Sequence, residues 1–297
     1  MGERTTSVQT PDGRDLEVLT GGDPDGFPLL FHGGSPSAVV PFPPLEQAVR
    51  EAGLRLVTYS RPGYGDSTAR PRPEPRMADD VADSVVVLDA LGVDRFVTAG
   101  WSGGGPRALG CAALLSGRCL AAASIAGVGP HDGEGLDWKA GMAPENVAEY
   151  SAAEAGRAAY DAYLEKEFLP VLQADVDDMA DAMGGLLPPV DRAVLDRPFL
   201  EWLTETFHRA GVQRTAGVLD DGQAAVRPWG FDVGTISVPV AIYQGRQDAM
   251  VPFAHGEWLA AHVPGAEVHL TDEDGHLTPM INGLPGILAD LKRVAGL

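Results

Sequence analysis

Residues 100–104 read G-W-S-G-G and place Ser102 between glycines in the pattern G-x-S-x-G. In such a turn the glycines remove Cβ atoms that would clash, and the serine hydroxyl is held exposed as a nucleophile. The motif by itself is a modest signal, because a glycine-rich turn without a catalytic role can have the same sequence. The apolar run at 95–100 predicts a buried strand before the serine, and 106–115 predicts a helix after it. This context makes a nucleophilic serine a strong hypothesis.

A serine hydroxyl is a weak nucleophile, so it needs a histidine base and an acid that orients this base. His276 follows the last predicted strand, and Asp248 follows the strand predicted at 238–243. Both lie at the carboxyl edge of the sheet, where Ser102 lies. We therefore predict a triad of Ser102, Asp248 and His276, with Asp132 as the alternative acid.

The remaining histidines have structural interpretations. His269 lies within a predicted strand, and a spacing of seven places His255 and His262 on one helix face without an H-E-x-x-H metal motif. His131 and His208 are expected at the surface. We predict neither a metal nor an organic cofactor.

A developing oxyanion needs backbone donors, and H-G-G-S at 32–35 follows another predicted strand. The N–H groups of Gly34 and Gly103 are predicted to form this oxyanion hole, where loss of one donor typically lowers kcat by ~10²–10³. His32 is expected to brace the loop. Neither glycine run matches a phosphate-binding motif.

Alternating strands and helices must position these residues. Short apolar runs bounded by glycine and proline predict strands buried on both faces of a parallel sheet, and amphipathic segments between them predict covering helices. A Pro-Asp-Gly turn at 11–13 predicts an opening hairpin. The predicted strands after this hairpin are 28–32, 54–59, 95–100, 120–125, 238–243 and 267–270.

The alternation stops between residues 131 and 234, where the pattern predicts helices at 144–172, 176–186 and 191–210, the last with a break at Pro198. The fold class is therefore α/β. A core domain comprises residues 1–130 and 235–297, and residues 131–234 form an inserted helical cap. The cap is expected to act as a lid.

With these motifs in order, the sequence resembles the α/β-hydrolase superfamily, specifically its branch with an H-G-G loop and a helical cap. R-P-G-Y-G-D-S at 61–67 is similar to the family's R-x-G-x-G-x-S loop, although Ser60 replaces the aspartate often found before that arginine. The resemblance implies the α/β-hydrolase fold, a mostly parallel sheet with helices on both faces.

The resemblance also separates branches of the superfamily. Epoxide hydrolases and haloalkane dehalogenases use an aspartate where this chain has Ser102. Proline iminopeptidases usually carry tryptophan after the serine, whereas Trp101 precedes it here. An aminopeptidase is therefore the second hypothesis. Lipases of this fold tend to be secreted, and no signal peptide is apparent in this sequence, so a lipase is not expected.

The amino-acid composition argues against nucleic acids and membranes as binding partners. The 42 acidic against 22 basic residues give a formal net charge of −20, which repels nucleic-acid phosphates and anionic membranes. No signal peptide or membrane span is apparent, so a cytoplasmic location is expected. Cys111 and Cys119 are interpreted as reduced buried thiols. A small-molecule substrate is expected, and a homodimer is one option.

The resulting hypothesis is a serine hydrolase that cleaves a small to medium carboxylic ester through an acyl-enzyme. The alternatives are the aminopeptidase, acyl transfer, perhydrolysis or C–C cleavage on the same triad, and a catalytically silent binding protein. Aromatic residues and methionines of the cap either line a pocket or pack as core. The predicted substrate-binding residues are Trp101, Trp138, Tyr163, Met183 and Trp202.

Overall fold

The computed structural model describes residues 4–71 and 74–297. Residues 1–3, the start of the segment on which the cytoplasmic prediction rests, lie outside this range. None of the helices in the described residues combines the length and the apolar character needed to cross a membrane.

One eight-stranded sheet forms the centre of the molecule, with the strand order β1-β2-β4-β3-β5-β6-β7-β8. The first two strands pair as the predicted antiparallel hairpin, β2 also pairs antiparallel with β4, and all other neighbours are parallel. The strands are β1 (Arg4–Gln9), β2 (Asp15–Gly22), β3 (Phe27–His32), β4 (Leu54–Tyr59), β5 (Phe96–Trp101), β6 (Cys119–Ile125), β7 (Val240–Gly245) and β8 (Glu267–Thr271). The predicted fold class, an α/β-hydrolase fold, is confirmed.

Helices cover both faces of the sheet. Side chains alternate along a strand, so Leu29 and Phe31 of β3 enter one apolar cluster and Leu30 enters the other. Full burial of each such side chain stabilises the fold by about 1.5–3 kcal/mol. The helices between or after the strands are α1 (Pro43–Glu51), α2 (Met77–Ala90), α3 (Gly105–Leu114), α11 (Phe253–His262), α12 (Thr278–Asn282) and α13 (Leu284–Ala295).

All described residues between β6 and β7 form helices, turns and loops, without a strand. The helices are α4 (Pro144–Glu154), α5 (Arg157–Tyr163), α6 (Leu169–Leu172), α7 (Val176–Ala182), α8 (Pro189–Arg192), α9 (Arg197–Ala210) and α10 (Ala216–Ala225). Tyr160 and Phe207 of this segment join the same apolar cluster as Leu29, and Trp138 and Trp229 join that of Leu30, so the segment packs against both apolar clusters.

The helices of this segment differ in detail from those predicted. The helix predicted at 144–172 is interrupted at Gly156, whose φ of +106° is outside the range of an α-helix. The helix predicted at 191–210 does break next to Pro198, since residues 193–196 separate α8 from α9. Pro198 lies in the first turn of α9, where its missing N–H costs no hydrogen bond. Helix α10 was not predicted, because Gly217, Gly222 and adjacent aspartates disrupt its apolar pattern.

Candidate active site

Ser102 follows β5 and begins a single 3₁₀ turn, Ser102–Gly104, that leads into α3. Its φ is +55°, a left-handed conformation that costs a non-glycine residue about 1–2 kcal/mol. A Cβ atom at Gly100 would lie 2.1 Å from the Gly104 carbonyl oxygen, and one at Gly104 would lie 2.1 Å from that of His32. Only glycine fits at these positions, so the sequence pattern reflects a tight, strained turn that presents the serine.

Asp248 and His276 form a buried hydrogen-bonded pair at the same edge of the sheet. Asp248 follows β7, His276 follows β8, and Nδ1 of the imidazole donates to Oδ2 of the carboxylate over 2.7 Å. Burial by itself lowers the pKa of His276, but the Asp248 carboxylate outweighs it, and the pKa lies above its usual value. Within the described chain, Ser102 and His276 share no hydrogen bond, a common state of catalytic groups before substrate binds.

The alternative acid Asp132 forms no hydrogen bond with His276 among the described residues. It lies in the turn after β6 and remains partly exposed. Of the acids next to His276 in sequence, Asp272 pairs with Arg246, and Asp274 accepts the Thr271 hydroxyl. The geometry therefore favours Asp248 as the partner of the imidazole.

The other histidines have structural contacts. Burial lowers the pKa of His32 to about 3, and its Nε2 lies 3.7 Å from the thiol sulfur of Cys111. His255 accepts the backbone N–H of Gly129 and donates to the carbonyl of Trp138. Both imidazoles are held inside the protein as packing elements.

The H-G-G-S loop after β3 touches the serine turn directly. A Cβ atom on Gly34 would lie 3.3 Å from the Ser102 Cβ, and one on Gly103 would lie 2.4 Å from Oγ of Ser35. The two predicted donor residues thus flank the serine. Their joint action on an oxyanion stays a prediction.

Ser102 lies on the wall of a cavity of about 250 Å³ between the sheet and the helical segment. Of the five residues predicted to bind substrate, Tyr163 and Met183 line this cavity. Most of the lining is apolar, with a few ionisable groups. The apolar and aromatic lining includes Val128, Tyr150, Phe168, Val171, Leu186, Phe207, Val218 and Met250.

The three predicted tryptophans do not line this cavity. Trp101 donates its indole N–H to the carbonyl oxygen of His276, and Trp138 donates to that of Gly129. Trp202 stacks on Phe42 with ring centroids 4.3 Å apart. Because large aromatic side chains fill protein interiors as readily as pockets, sequence alone did not distinguish these positions.

The model of the alpha/beta hydrolase family matches residues 29–288. The chain belongs to the alpha/beta hydrolase family. Solved structures with the same fold include a bromoperoxidase from Bacillus anthracis (TM-score 0.72, 19% identity, 97% of this chain and 98% of that one). An esterase from Exiguobacterium antarcticum has a TM-score of 0.69 at 19% identity, over 99% of each chain. An enol-lactonase from Burkholderia xenovorans LB400 has a TM-score of 0.66 at 19% identity, over 98% of this chain and 100% of that one.

In this alpha/beta hydrolase, two arginines hold the loops that flank the serine. Arg61 donates to the Gly34 carbonyl oxygen over 2.6 Å, and Arg107 donates to that of Gly103 over 2.6 Å. Both guanidinium groups also bind the buried carboxylate of Asp221, at 2.6 and 2.7 Å. One aspartate of α10 therefore fixes the arginines on both sides of the predicted oxyanion hole.

Asp221 receives two further hydrogen bonds, from the Ser35 hydroxyl at 2.5 Å and the Tyr64 hydroxyl at 2.8 Å. Burial raises its pKa, but Arg61 and Arg107 outweigh this and hold the pKa well below the usual range, so the carboxylate stays charged. Sequence analysis missed Asp221. The R-x-G-x-G-x-S motif, which contains Arg61 and Tyr64, was the signal that pointed toward this cluster.

Ser60, where the hydrolase family often has aspartate, has structural contacts of its own. Its hydroxyl donates to Oε2 of Glu17 over 2.8 Å and accepts the backbone N–H of Val39. The side chain thus ties β4 to β2 and to the segment after the H-G-G-S loop.

A second aspartate of the helical segment holds the histidine loop. Asp191 of α8 is fully buried, and its carboxylate accepts the backbone N–H groups of His276, Leu277 and Thr278 at 2.8, 2.9 and 3.2 Å. This residue was also missed, because its partners are backbone atoms that leave no sequence pattern.

Among the described residues, Glu267, His269 and Asp290 bring three ligand atoms within 4.8 Å of one another. Arg293 pairs with both carboxylates, at 2.5 and 3.0 Å. The acids already have a cationic partner, so this surface group does not indicate a metal centre.

Proposed function

We propose that this chain is a serine hydrolase that cleaves small to medium carboxylic esters through an acyl-enzyme. The carrying observation is the buried Asp248–His276 pair at the sheet edge where the strained turn presents Ser102 to a cavity. An apolar cavity of about 250 Å³ suits the acyl or alcohol part of such an ester.

In the proposed reaction, His276 takes the proton of Ser102 as the hydroxyl oxygen attacks the ester carbonyl carbon. Asp248 keeps the proton on Nδ1, so that Nε2 is the base, and stabilises the imidazolium that forms. The backbone N–H groups of Gly34 and Gly103 stabilise the oxyanion, each contributing about 3–4 kcal/mol to the barrier reduction. The alcohol leaves with the proton from His276, and water then attacks the acyl-enzyme by the same route.

The test is a substrate panel of p-nitrophenyl esters of increasing acyl length, lactones and aminoacyl arylamides, run with the wild type and Ser102→Ala. We expect ester hydrolysis by the wild type and a loss of at least about 10⁴-fold in kcat for the variant, since the nucleophile is removed. Fluorophosphonate labelling, read by mass spectrometry, should disappear with Ser102.

Three outcomes would contradict the proposal. Labelling that persists at another serine would remove Ser102 as the nucleophile. A preference for aminoacyl arylamides over esters would replace the esterase by a peptidase. Absence of both labelling and turnover would favour a silent binding protein.

A further inference from the structure

Glu149 of α4 lines the same cavity as Ser102. Oε1 of its carboxyl accepts the Tyr160 hydroxyl over 2.6 Å. Among the described residues, Oε2 has neither a hydrogen-bond partner nor an ion-pair partner. One carboxyl oxygen inside the substrate cavity is therefore left without a donor from the protein.

No cation in the described lining neutralises this carboxylate. Arg107 is the only basic residue among the described residues that line the cavity, and its guanidinium is already bonded to Asp80, Asp221 and the Gly103 carbonyl. The remaining ionisable residues of the lining are Glu145, Glu167 and Asp221. Asp221 is paired with Arg61 and Arg107, and Glu167 with Lys166, whereas Glu149 has no such cation among the described residues, and an unpaired carboxylate is costly until a cation arrives.

Aromatic rings line the same cavity as the Glu149 carboxyl group. Tyr150, Tyr163, Phe168 and Phe207 line the same cavity, and the faces of such rings attract ammonium ions. Burial raises the pKa of Glu149 to about 7, so near neutral pH the group is poised between its two charge states. The titratable groups that act electrostatically on Glu149 or respond to it are Tyr150, Tyr160, Tyr163 and Asp221.

We propose that Glu149 and these rings form an ammonium subsite, so that the preferred ester carries a protonated or quaternary amine. This inference rests on ester hydrolysis at Ser102. A carboxylate and ring faces recognise a cation together, whereas an anionic acyl or alcohol group would meet the Glu149 carboxylate and finds no uncommitted basic side chain among the described lining residues. The proposed substrate is therefore a carboxylic ester that bears a cationic group, and not one that bears an additional carboxylate.

The test uses two matched ester pairs in which trimethylammonium is replaced by the isosteric tert-butyl group. One pair carries this group on the acyl side, as p-nitrophenyl 4-(trimethylammonio)butyrate and p-nitrophenyl 5,5-dimethylhexanoate. The other carries it on the alcohol side, as butyrylcholine and 3,3-dimethylbutyl butyrate. In at least one pair, kcat/KM of the wild type should favour the cation about tenfold, the size of one desolvated cation–carboxylate or cation–π contact.

Glu149→Gln keeps the shape and an acceptor for the Tyr160 hydroxyl but removes the charge. We expect the preference for the cation to fall to about one. The matched control is Glu154→Gln on the same helix, which removes an equal charge from a residue outside the cavity that pairs with Lys139. This control should keep the tenfold preference.

A wild type that prefers the neutral ester in both pairs would overturn the subsite, as would a preference that survives in Glu149→Gln. Tetramethylammonium gives a readout without turnover. The Tm of the wild type should be higher in tetramethylammonium chloride than in sodium chloride at equal ionic strength. The Tm of Glu149→Gln should be the same in both salts. Ester turnover that persists in Ser102→Ala would contradict the hydrolase proposal instead, so the two failures are distinguishable.

Discussion

Four donors surround the carboxylate of Asp248. The backbone N–H groups of Met250 and Val251 bind Oδ1, and the amide of Gln244 and the imidazole of His276 bind Oδ2. The carboxylate is therefore fixed in one orientation, and the imidazole is fixed with it. This arrangement controls the protonation state of the proposed base.

We expect Asp248→Asn to lower kcat by about 10⁴, because an amide N–H facing Nδ1 favours the wrong imidazole tautomer. The rate requires a neutral imidazole, so it declines as the pH drops through the His276 pKa. Asp248 raises that pKa, and its loss should move the acid limb to lower pH. The measurement is kcat/KM against pH for a neutral ester.

Asp132→Asn is the matched control, because Asp132 is the alternative acid and its replacement removes an equal charge. Its pH profile should match that of the wild type. A shifted profile in this control, together with an unchanged one in Asp248→Asn, would reverse the assignment of the acid.

For single residues, chain order and the predicted strand ends were enough to place Ser102, Asp248 and His276 at one edge of the sheet. Residues directly after the strands of a parallel sheet lie together at its carboxyl edge. Glu149 was not found. It lies on an amphipathic helix where glutamate is usual, and only the packing shows that it faces a cavity. Side-chain direction at such positions depends on tertiary contacts that a local pattern does not contain.

Among the secondary-structure elements, the six strands after the opening hairpin were predicted to within two residues, because buried parallel strands are short apolar runs with clear boundaries. The helical segment was less predictable. Helix α10 (Ala216–Ala225) buries Asp220 and Asp221 through ion pairs, so its polar residues do not mark its exposed face. A helix that buries charge has no amphipathic signature.

Arg61 binds both the Gly34 carbonyl and Asp221, so we expect its planar, forked guanidinium group to position the H-G-G-S loop. Arg61→Lys keeps the charge but loses the fork, so we expect kcat to fall by about 10–100-fold, less than the loss of a whole oxyanion donor. The affinity for a trifluoromethyl ketone, which forms a tetrahedral adduct, should fall in parallel with kcat/KM.

Tyr64→Phe is the control for this element, because the Tyr64 hydroxyl binds the same Asp221 without touching Gly34. It should lower stability by about 1 kcal/mol and leave kcat within a few-fold of the wild type. Equal losses of kcat in both variants would show that general loosening, rather than the Arg61 fork, affects the rate.

The whole molecule carries a formal net charge of −20, which creates an attractive field for cations. The field and the proposed ammonium subsite both favour the binding of a cationic substrate. We expect kcat/KM for the trimethylammonium ester to fall several-fold between about 20 and 500 mM salt, since added ions screen this attraction. The tert-butyl ester measured in parallel is the control and should change little. Identical salt responses of both esters would contradict the steering.

The contacts of Asp191 and Asp221 limit how such an enzyme is re-engineered. Exchange of segment 131–234 for the helical insertion of another hydrolase, as a way to transfer selectivity, removes both aspartates. The backbone N–H groups at 276–278 then lose their acceptor, Arg61 loses its counter-ion, and Arg107 keeps only Asp80 among the described residues. We expect a functional chimera to need the host residues at 191 and 221, because they hold loops of the proposed active site from within the exchanged segment.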